Sequence, residues 1–487
     1  MHLPSLAIES YFDQHAHNPV HWERFGEAAW ERAREEGKPV LLSFGYKGSL
    51  GCEKMHRECF ELPFIADLMN RHFVCVLIDR EEHPILDSTA LEVSHMVAHA
   101  SGWPIQVFCL PDGRPFSAGN DFPPQDMGDG RIPWPQLLMR IYNHFKKEPE
   151  SLVENANGIV RNLQYFNQPP VAESIDRGVV AQGHRQAIEL LLQHSDPVNG
   201  GWRGEVKFPC PMLLEVMDQA IDRYPDLAEA LGCLLNKTLE AIATGGLLDA
   251  SEGGFWRYTR KQWEDPYLEK SATENALLVR AYATRYRRTK NPLYADIIHK
   301  TSDWLEAAFE GKIYRTPIAD LGMFRSQAIW ATTLLGLDFL PELAERGAHK
   351  LQNLIERGLS LESDKTFTLT DIAVLLEGTL KLYDRSPSAS AEGNVQRLFE
   401  KIVLDFQDTE NIGFFESIVG IEDWCLRRKI WMDSTSPAGQ TLLFQCLAHP
   451  LLRLVGKTYF EDLQKVYLQM WQKIPQAASY TLLIEID

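Results

Sequence analysis

The sequence predicts an α/β domain followed by a domain built almost entirely from α-helices. In the first third of the 487-residue chain, short apolar runs alternate with helical periods. From about Asp176 onward, strand-like alternation is almost absent. Helical periods of roughly 12–18 residues recur there about eleven times without a repeat of fixed length. Helices that arrive in pairs in this way are typical of an α/α-hairpin toroid.

The elements of the first domain follow from local patterns. Trp22–Glu36 has the period of a helix that stops at Gly37, and Pro39–Phe44 is an apolar run typical of a buried strand. A Gly-rich turn then leads into a helix within Gly45–Phe60. The remaining predicted elements are a strand at Phe73–Asp79, a helix at Pro84–Ala98, a strand at Ile105–Leu110 and a helix at Leu137–Phe145.

A connecting helix is predicted over residues 149–167, and Gln168-Pro169-Pro170 reads as a linker. We therefore expect two domains, residues 1–165 with an irregular N-terminal arm and residues 175–487. The helices predicted for the second domain are Val179–Gln193, Met212–Tyr224, Leu227–Thr244, Ala272–Arg287, Tyr294–Phe309, Ser326–Leu340, Glu342–Leu359, Thr370–Tyr383, Asn394–Phe406, Gly439–Leu454 and Phe460–Trp471.

Composition and charge exclude several classes of function. The formal net charge is −18, with 49 Lys plus Arg against 67 Asp plus Glu, which disfavours nucleic acids and anionic membranes as partners. The N-terminus lacks the basic and apolar regions of a signal peptide, and no apolar run reaches the length of a membrane span. We expect a cytoplasmic protein.

The eight cysteines are scattered, with no Cys-x-x-Cys pair and no spacing typical of zinc ligands. They read as reduced core thiols, and the sequence predicts neither a metal site nor a cofactor. His15, His17 and His21 lie close in sequence, but no acid or cysteine accompanies them at ligand spacing. Packing of the arm is the preferred interpretation of these histidines, with metal binding as the alternative.

The stretch Gly45–Phe60 is the most informative part of the chain. A buried strand, a Gly-rich turn and a helix place Cys52 near a helix N-terminus, where unpaired N–H groups and the helix dipole favour a thiolate. Redox enzymes usually present two cysteines there, as Cys-x-x-Cys. This chain has Ser49-Leu50-Gly51-Cys52.

Several stretches of the first domain resemble the thioredoxin-like domain of the YyaL/spermatogenesis-associated protein 20 family. They are Gln14–Trp22, Gly45-Tyr46, Cys52 with Met55, Asp79–Pro84, Gly102-Trp103-Pro104, Pro111–Phe116 and Phe122-Pro123-Pro124. The resemblance implies a thioredoxin-like fold. It also implies a cis peptide bond before Pro104, which faces the helix of Cys52 and exposes backbone to an extended peptide.

Members of the family carry Cys-His-x-Cys-His where this chain reads Ser49-Leu50-Gly51-Cys52-Glu53. A dithiol exchanger attacks with its outer cysteine and resolves the mixed disulfide with the inner one, so Ser49 removes the usual attacking atom. Cys59 cannot resolve it, because seven residues of one continuous helix rise about 10 Å. Two interpretations stay open. In the first, Ser49 caps the helix and Cys52 is buried; in the second, Cys52 is a working monothiol at a site with Ser49, Trp103 and Pro104.

The resemblance extends into the helical half, where family members resemble six-hairpin glycosidases and sugar epimerases. The matching stretches are Gly200-Gly201-Trp202, Lys207-Phe208-Pro209, Gly245–Asp249, Gly253–Thr259, Pro266–Lys270, Asn275-Ala276, Asp433 and Pro437-Ala438-Gly439. A stretch that members carry is shortened around residues 311–326, which indicates an incomplete or compacted toroid. Three histidines of the family are replaced, by Ala250, Trp256 and Tyr267.

Aromatic faces combined with charged hydrogen-bonding groups are typical of a sugar site, and a toroid directs its loops to one mouth. The candidate ligand-binding residues of the helical half are Trp202, Asp249, Phe255, Arg257, Tyr258, Tyr267, Glu269, Lys270 and Asn275. Asp249 and Glu269 are the carboxylates that a carbohydrate-active enzyme would use. The alternative is a buried ion-pair network of Arg257, Glu269 and Lys270 that braces the loops.

Both halves have lost groups that their chemistries use, so the leading hypothesis is a divergent, degenerate member, a pseudoenzyme. It would bind a peptide, protein or carbohydrate-like ligand without thiol–disulfide turnover. The alternatives are a monothiol oxidoreductase that uses Cys52 and a hydrolase- or epimerase-type enzyme in the toroid mouth. A subunit of a larger assembly is a third class, and the sequence leaves the oligomeric state open.

Overall fold

A computed structural model describes residues 11–100, 102–174, 177–312, 318–320, 322–360, 367–418, 424–434 and 436–473. The chain forms two compact units. One comprises the chain up to Phe166 together with a later segment that includes Trp424–Arg428, and the other comprises the rest of the chain from Asn167. Residues 1–10 of the predicted arm lie outside the described residues.

The first unit is a mixed five-stranded sheet with helices on its faces. Its strands are β1 Trp22–Glu23, β2 Val40–Gly45, β3 Val74–Asp79, β4 Ile105–Cys109 and β5 Pro115–Asn120, in the spatial order β1-β3-β2-β4-β5. Its helices are α1 Tyr11–Gln14, α2 Glu27–Glu36, α3 Leu50–Met55, α4 Pro63–His72, α5 Pro84–Ala98, α6 Trp134–Lys147 and α7 Pro149–Asn167.

Strand β2 lies at the centre of the sheet because its residues are apolar on both faces. It pairs in parallel with β3 and antiparallel with β4, and every residue of β2 is buried. Alternate side chains enter the two cores, with Leu41 in one and Leu42 in the other. The register places Gly45 opposite Asp79 at the ends of β2 and β3, where the turn to α3 begins.

Two local predictions for this unit differ from the structure. The predicted helix at Trp22 begins instead at Glu27, because Trp22 and Glu23 pair with β3 as a short strand. The predicted continuous helix after the Gly-rich turn is α3 followed by a π-helical turn, His56–Phe60. Both differences come from tertiary pairing or packing, which a local periodicity does not report.

The segment Trp424–Arg428 packs into the first unit, although it lies more than 250 residues after the rest of that unit in the sequence. The Trp424 ring lies 5.9 Å from the Phe44 ring between centroids, and Trp424 Nε1 donates to the Gly113 carbonyl at 2.8 Å. Arg428 is buried; it donates to the Leu163 carbonyl at 2.9 Å and forms an ion pair with Glu92. The core of the unit therefore depends on residues that local patterning assigned to the helical domain.

The second unit is helical. Its helices are α8 Arg177–His194, α9 Pro211–Arg223, α10 Ala228–Thr244, α11 Ala272–Thr289, α12 Pro292–Phe309, α13 Phe324–Leu335, α14 Pro341–Ser360, α15 Leu369–Arg385, α16 Ala389–Phe406, α17 Gly439–Leu447, α18 Pro450–Arg453 and α19 Lys457–Lys473. Its short strands are β6 Thr259–Lys261, β7 Glu264–Pro266, β8 Lys270–Ser271 and β9 Ile318–Ala319.

Alternate helices of this unit form an inner ring. Helices α9, α11, α13, α15, α17 and α19 pack successively side by side, and α10, α12, α14, α16 and α8 each pack outside an inner helix. The outer helix after α17 is reduced to the four residues of α18. The predicted α/α toroid is confirmed, and in the described residues its abbreviated hairpin is α17–α18. The shortened stretch around residues 311–326 includes residues 313–317 and 321, which lie outside the described residues.

Candidate functional site

The first candidate site lies where β2 turns into α3. Ser49 is the N-cap of α3, and its Oγ accepts a hydrogen bond from the Cys52 N–H at 3.4 Å. Ser49 is 3% exposed and Cys52 is 2% exposed. The expected cap is present, and the Cys52 sulfur is closed off from solvent.

Tyr11, from the N-terminal helix α1, covers the Cys52 thiol. Both groups lie over Gly45: a Cβ built on this glycine would stand 2.9 Å from Cys52 Sγ and would overlap the Tyr11 hydroxyl. Tyr11 is buried. Burial, followed by the neighbouring Cys52 thiol, raises the pKa of the Tyr11 hydroxyl well above its usual value. The missing side chain at position 45 therefore makes the room in which the phenol and the thiol meet.

Asp79 ends β3 beside the same pocket. Burial raises the pKa of its carboxyl to about 6, although hydrogen bonds from the backbone N–H groups of Glu81 and Tyr11 oppose that rise. The hydrogen bond from the Glu81 N–H to Asp79 Oδ1 is 2.9 Å. The Asp79 carboxyl, the Tyr11 phenol and the Cys52 thiol thus lie in one region at the C-terminal ends of β2 and β3.

The peptide bond between Trp103 and Pro104 is cis, as the family resemblance implies. The loop packs against the first turn of α3: a Cβ built on Gly51 would lie 2.5 Å from the Trp103 carbonyl oxygen and 3.4 Å from Pro104 Cδ. Ser49, Cys52, Trp103 and Pro104 are therefore brought together as predicted. The Trp103 carbonyl faces α3, and only a glycine at position 51 leaves space for it.

A buried polar cluster fixes the Trp103 side chain. Trp103 Nε1 donates to Asp87 Oδ1 at 2.6 Å, and the Arg80 guanidinium lies 3.9 Å above the Trp103 ring centroid. Arg80 also lies 3.6 Å from Asp87. Burial raises the pKa of Asp87, and the Arg80 charge and the Trp103 hydrogen bond oppose this. The loop is therefore rigidly supported even though the sulfur beside it is covered.

The geometry does not support dithiol exchange. Cys59 lies in the π-helical turn, is fully buried, and donates its Sγ–H to the Phe122 carbonyl at 3.5 Å. Burial raises the pKa of the Cys59 thiol to about 12. Ser49 stands at the outer position, where a dithiol exchanger has its attacking cysteine, and the Cys52 side chain is buried.

The three histidines of the N-terminal arm do not form a cluster. His15 is buried, donates from Nδ1 to the Tyr11 carbonyl at 2.9 Å and stacks on His56 at 4.2 Å, whereas His17 and His21 are exposed. No group of three metal-ligating side chains suited to an ion occurs in the described residues. Burial lowers the pKa of His15 to about 4. His15 therefore docks the arm, with Tyr11 on it, in its neutral form.

In the helical unit, Asn275 and Phe255 have packing roles. Asn275 Oδ1 accepts from the Phe255 N–H at 2.7 Å, and Asn275 Nδ2 donates to the Phe255 carbonyl at 3.0 Å. Both residues are 1% exposed, and the Phe255 ring stacks on Tyr282. The asparagine thus fastens the loop to the first turns of α11.

Arg257 joins two carboxylates, the buried Glu269 and the half-buried Glu274. It lies 2.8 Å from Glu269 Oε1 and 3.2 Å from Glu274 Oε2. Glu269 is 1% exposed. Burial raises the pKa of Glu274, with the Arg257 charge acting against it. The predicted carboxylate Glu269 is therefore held in an ion pair, and sequence reasoning missed Glu274.

Lys270 and Asp249 form a second, separate ion pair. Lys270 is 0% exposed, and its Nζ donates to Asp249 Oδ2 at 2.7 Å and to the Gly253 carbonyl at 2.8 Å. Asp249 Oδ1 accepts from the Ser251 N–H at 2.9 Å. Burial lowers the pKa of Lys270 and acts to raise that of Asp249, yet hydrogen bonds from Lys270 and Ser251 leave the Asp249 pKa below its usual value.

The Lys270–Asp249 loop is one of three copies of the same construction. In each copy a buried lysine donates one hydrogen bond to an aspartate at 2.7 Å and another to the backbone carbonyl of the residue four positions after that aspartate. The aspartate also accepts hydrogen bonds from backbone N–H groups of the turn that follows it. The other two pairs are Lys207 with Asp196 and Lys429 with Asp408. Each aspartate is followed by Gly and an aromatic residue before an inner helix: Gly201-Trp202, Gly254-Phe255 and Gly413-Phe414.

Three other aromatic rings of this end remain accessible. Tyr258 stacks on Tyr267 at 4.8 Å with nearly parallel rings, and Phe208 lies 4.9 Å from Tyr258. Phe208 is 51% exposed. Trp202, in contrast, packs partly buried against the core, and its carbonyl accepts from Lys207 Nζ. Tyr258 and Tyr267 are half-buried, as are Trp202 and Arg257, and the two tyrosines are the predicted residues that adjoin the exposed Phe208 ring.

Sequence reasoning also missed a polar cavity among the later turns of the inner helices. Its charged residues include Glu215, Arg280 and Glu377, which stand within the apolar stretches Met212–Val216, Ala276–Ala281 and Ala373–Leu380. A charged residue on the buried face of a helix is rare unless it is paired. A single charged residue within an otherwise apolar helix face was therefore the feature of the sequence that could have predicted this cavity.

Residues 5–164 match a family model described as Thioredox_DsbH, protein of unknown function, DUF255. The matched residues form the first domain of the chain, which is similar to this family of thioredoxin-like domains. The chain is 31% identical over 293 residues to spermatogenesis-associated protein 20 of Mus musculus and of Homo sapiens. The predicted resemblance to that family is confirmed.

Those matches cover 59% of this chain and 37% of each relative. An uncharacterized protein of Caenorhabditis elegans is 32% identical over 285 residues, with 58% and 38% covered. The chain thus spans little more than a third of the length of these curated relatives.

Among solved structures, the chain is similar to a D-mannose isomerase, with a TM-score of 0.46, 14% identity, and 61% of this chain and 88% of that chain covered. A cellobiose 2-epimerase from Spirochaeta thermophila gives a TM-score of 0.42 and 14% identity, with 61% and 86% covered. No helix within the described ranges is both long and apolar enough to cross a membrane.

The substitution Lys270→Ala should reduce the free energy of unfolding by about 3–5 kcal/mol, because it leaves Asp249 buried without its cation. The measurement is urea unfolding followed by circular dichroism without added ligand. The double substitution Lys270→Met with Asp249→Asn removes both charges and should recover part of the loss. A loss below about 1 kcal/mol for Lys270→Ala would show that the ion pair does not brace the loop.

Acidification should weaken the docking of the arm through His15. The folded pKa is about 4 and the usual value 6.5, so the stabilisation is complete above pH 6.5 and is lost as the pH falls toward 4. Unfolding free energies at about pH 8 and about pH 5 should differ more in the unmodified protein than in His15→Gln. The contribution of Asp79 to the unfolding free energy changes with pH in the opposite direction, but it is the same in the unmodified protein and in His15→Gln. Equal differences would contradict this role of His15.

Proposed function

We propose that this protein is a binding protein of the thioredoxin-like and α/α-toroid type that does not carry out thiol–disulfide exchange. The observation that carries the proposal is the burial of Cys52 beneath Tyr11, with Ser49 in place of an outer cysteine. A monothiol reaction at Cys52 would require the arm to leave its buried position. The eight free cysteines suit a reducing compartment such as the cytoplasm.

Among peptide, protein and carbohydrate-like ligands, the geometry favours a carbohydrate-like ligand on the helical half. Phe208, Tyr258 and Tyr267 offer adjacent ring faces, and aromatic faces suit the apolar faces of sugar rings. A peptide beside Pro104 is less favoured, because the Trp103 carbonyl packs against Gly51. Sugar turnover by Asp249 and Glu269 is also less favoured, since each is held in its own ion pair.

Alkylation of the native protein tests the buried thiol. Cys233 is exposed and serves as an internal control that should react quickly, whereas Cys52 should stay unmodified until the protein unfolds. Tyr11→Ala should make Cys52 reactive, because it removes the ring above the sulfur. Mass spectrometry of the peptides gives both rates. Fast labelling of Cys52 in the unmodified protein, or reduction of insulin disulfides that depends on Cys52, would refute the proposal.

A glycan array tests the ligand class. The protein should bind one or more oligosaccharides, and Tyr267→Ala should weaken that binding by about fivefold or more through loss of a stacking face. Tyr142→Ala, an aromatic substitution on α6 of the other unit, is the matched control and should leave binding unchanged. An array without hits would remove the carbohydrate-like ligand and leave the result at Cys52 intact.

A further inference from the structure

Three loops of the helical unit surround a lysine ammonium group with oxygen atoms. We call them the Lys–Asp loops, after their pairs Lys207–Asp196, Lys270–Asp249 and Lys429–Asp408. In the first loop, Lys207 Nζ lies 2.7 Å from Asp196 Oδ2, and Lys207 is 1% exposed. The same nitrogen lies 2.6 Å from the Trp202 carbonyl oxygen and 3.2 Å from the Gly200 carbonyl oxygen. The ammonium group has therefore exchanged its water shell for one carboxylate and two backbone carbonyls.

The other two ammonium groups have the same kind of surroundings. Lys270 Nζ lies 2.7 Å from Asp249 Oδ2 and 2.8 Å from the carbonyl oxygen four residues after that aspartate. Lys429 Nζ lies 2.7 Å from Asp408 Oδ2 and 2.6 Å from the corresponding carbonyl oxygen. Lys270 is 0% exposed and Lys429 is 2% exposed. Each loop therefore forms an oxygen cage around one buried positive charge.

The loop itself holds the aspartate in place. In each copy the Oδ1 atom accepts hydrogen bonds from the backbone N–H groups two and three residues later, at 2.9–3.3 Å. The backbone N–H of the aspartate donates to the carbonyl five residues later. Burial acts to raise the pKa of each carboxyl, but hydrogen bonds from the lysine and from the turn hold the pKa below its usual value. The loop thus fixes an ionised carboxylate whose Oδ2 atom faces the ammonium group.

The lysine side chains reach the three cages from different positions in the chain. Lys207 follows its aspartate by 11 residues, whereas Lys270 and Lys429 follow theirs by 21. The backbones of the lysines also have different partners. Lys207 pairs with Thr259, and the Lys429 N–H donates to Asn167 Oδ1 at 3.0 Å. The three loops therefore have in common the cage and its cation, and not the route by which the side chain enters.

The cage geometry selects the class of ion that could replace an ammonium group. The distances from Nζ to the cage oxygens are 2.6–3.2 Å. Mg²⁺ requires oxygens at about 2.0–2.1 Å and Ca²⁺ at about 2.3–2.6 Å, so the cages are too wide for either ion. One carboxylate also balances one positive charge rather than two. Backbone carbonyls are the oxygens that replace the water shell of K⁺ in selective sites, and NH₄⁺ is the free form of the group already present.

We propose that each Lys–Asp loop is a site for a monovalent cation in which the lysine ammonium group occupies the place of the ion. The loop should therefore bind NH₄⁺ or K⁺ once the ammonium group is removed. In the unmodified protein the tethered cation keeps such ions out, which makes the three loops independent of the salt in solution. The inference does not depend on the state of Cys52 or on the carbohydrate-like ligand proposed for the Tyr258–Tyr267 surface.

Thermal unfolding of the full chain tests this in ammonium, potassium and tetramethylammonium chloride, each at about 0.5 M. In tetramethylammonium chloride, Lys207→Ala should unfold at a lower temperature than the unmodified protein, because Asp196 is left buried without its cation. NH₄⁺ and K⁺ should each raise the unfolding temperature of the variant by about 3 °C or more, since an ion that binds only the folded state stabilises it. The unmodified protein should show no such difference between the salts, and Lys270→Ala repeats the test in the second loop.

Two variants serve as controls. Lys300 on α12 also pairs with an aspartate, Asp296, at 2.7 Å, but its side chain is 61% exposed, so Lys300→Ala should show no selective response to NH₄⁺ or K⁺. The double substitution Lys207→Ala with Asp196→Asn removes the negative charge of the cage. It should therefore lose the response that Lys207→Ala shows.

Three results would overturn the inference. The first is an equal unfolding temperature of Lys207→Ala in all three salts, and the second is a response of the same size in Lys300→Ala. The third is the failure of both Lys207→Ala and Lys270→Ala to fold in any of the salts, because a cage that accepts a free cation should be restored by one.

Discussion

A charge removed from water must be paired, and this constraint fixes three loops of the helical unit. Each of three loops that lead into inner helices encloses a lysine ammonium with almost no exposed surface. The ammonium can be accommodated only because an aspartate and a backbone carbonyl meet it at hydrogen-bond distance. That requirement fixes the path of the loop, and in each copy the backbone N–H of the aspartate donates to the carbonyl of the glycine five residues later.

The same constraint gives a structural role to the charged residues that the sequence predicted as a sugar-binding site. Charged groups beside aromatic rings are the composition of a carbohydrate site, but also of a braced loop. Asp249 is paired with Lys270, and Glu269 is paired with Arg257. A carboxylate already engaged in this way is a poor general acid or nucleophile, because its ionised form is stabilised by a fixed cation.

How much the sequence could predict depended on the range of the interaction. Strand β2 and the inner helices were predicted, because hydrophobic periodicity is a local property, and the cis bond before Pro104 followed from the family motif. The cover of Cys52 by Tyr11 was not predictable, because it depends on the space above Gly45 that only the folded sheet creates. An aspartate followed five residues later by glycine and then an aromatic residue occurs in three of the loops of the sequence. However, the first lysine follows its aspartate at a different distance from the other two, which concealed the repeat.

The two ends of the inner helices therefore differ in what their charges can do. In the three Lys–Asp loops, the buried lysine and the aspartate pair with each other, and a ligand could reach either charge only by breaking that pair. At the other end of these helices, Arg280 is paired with both Glu215 and Glu377, and the three side chains border a cavity. Ion pairs of this kind fix the side chains that bear them, because moving one member leaves the other without its counter-charge.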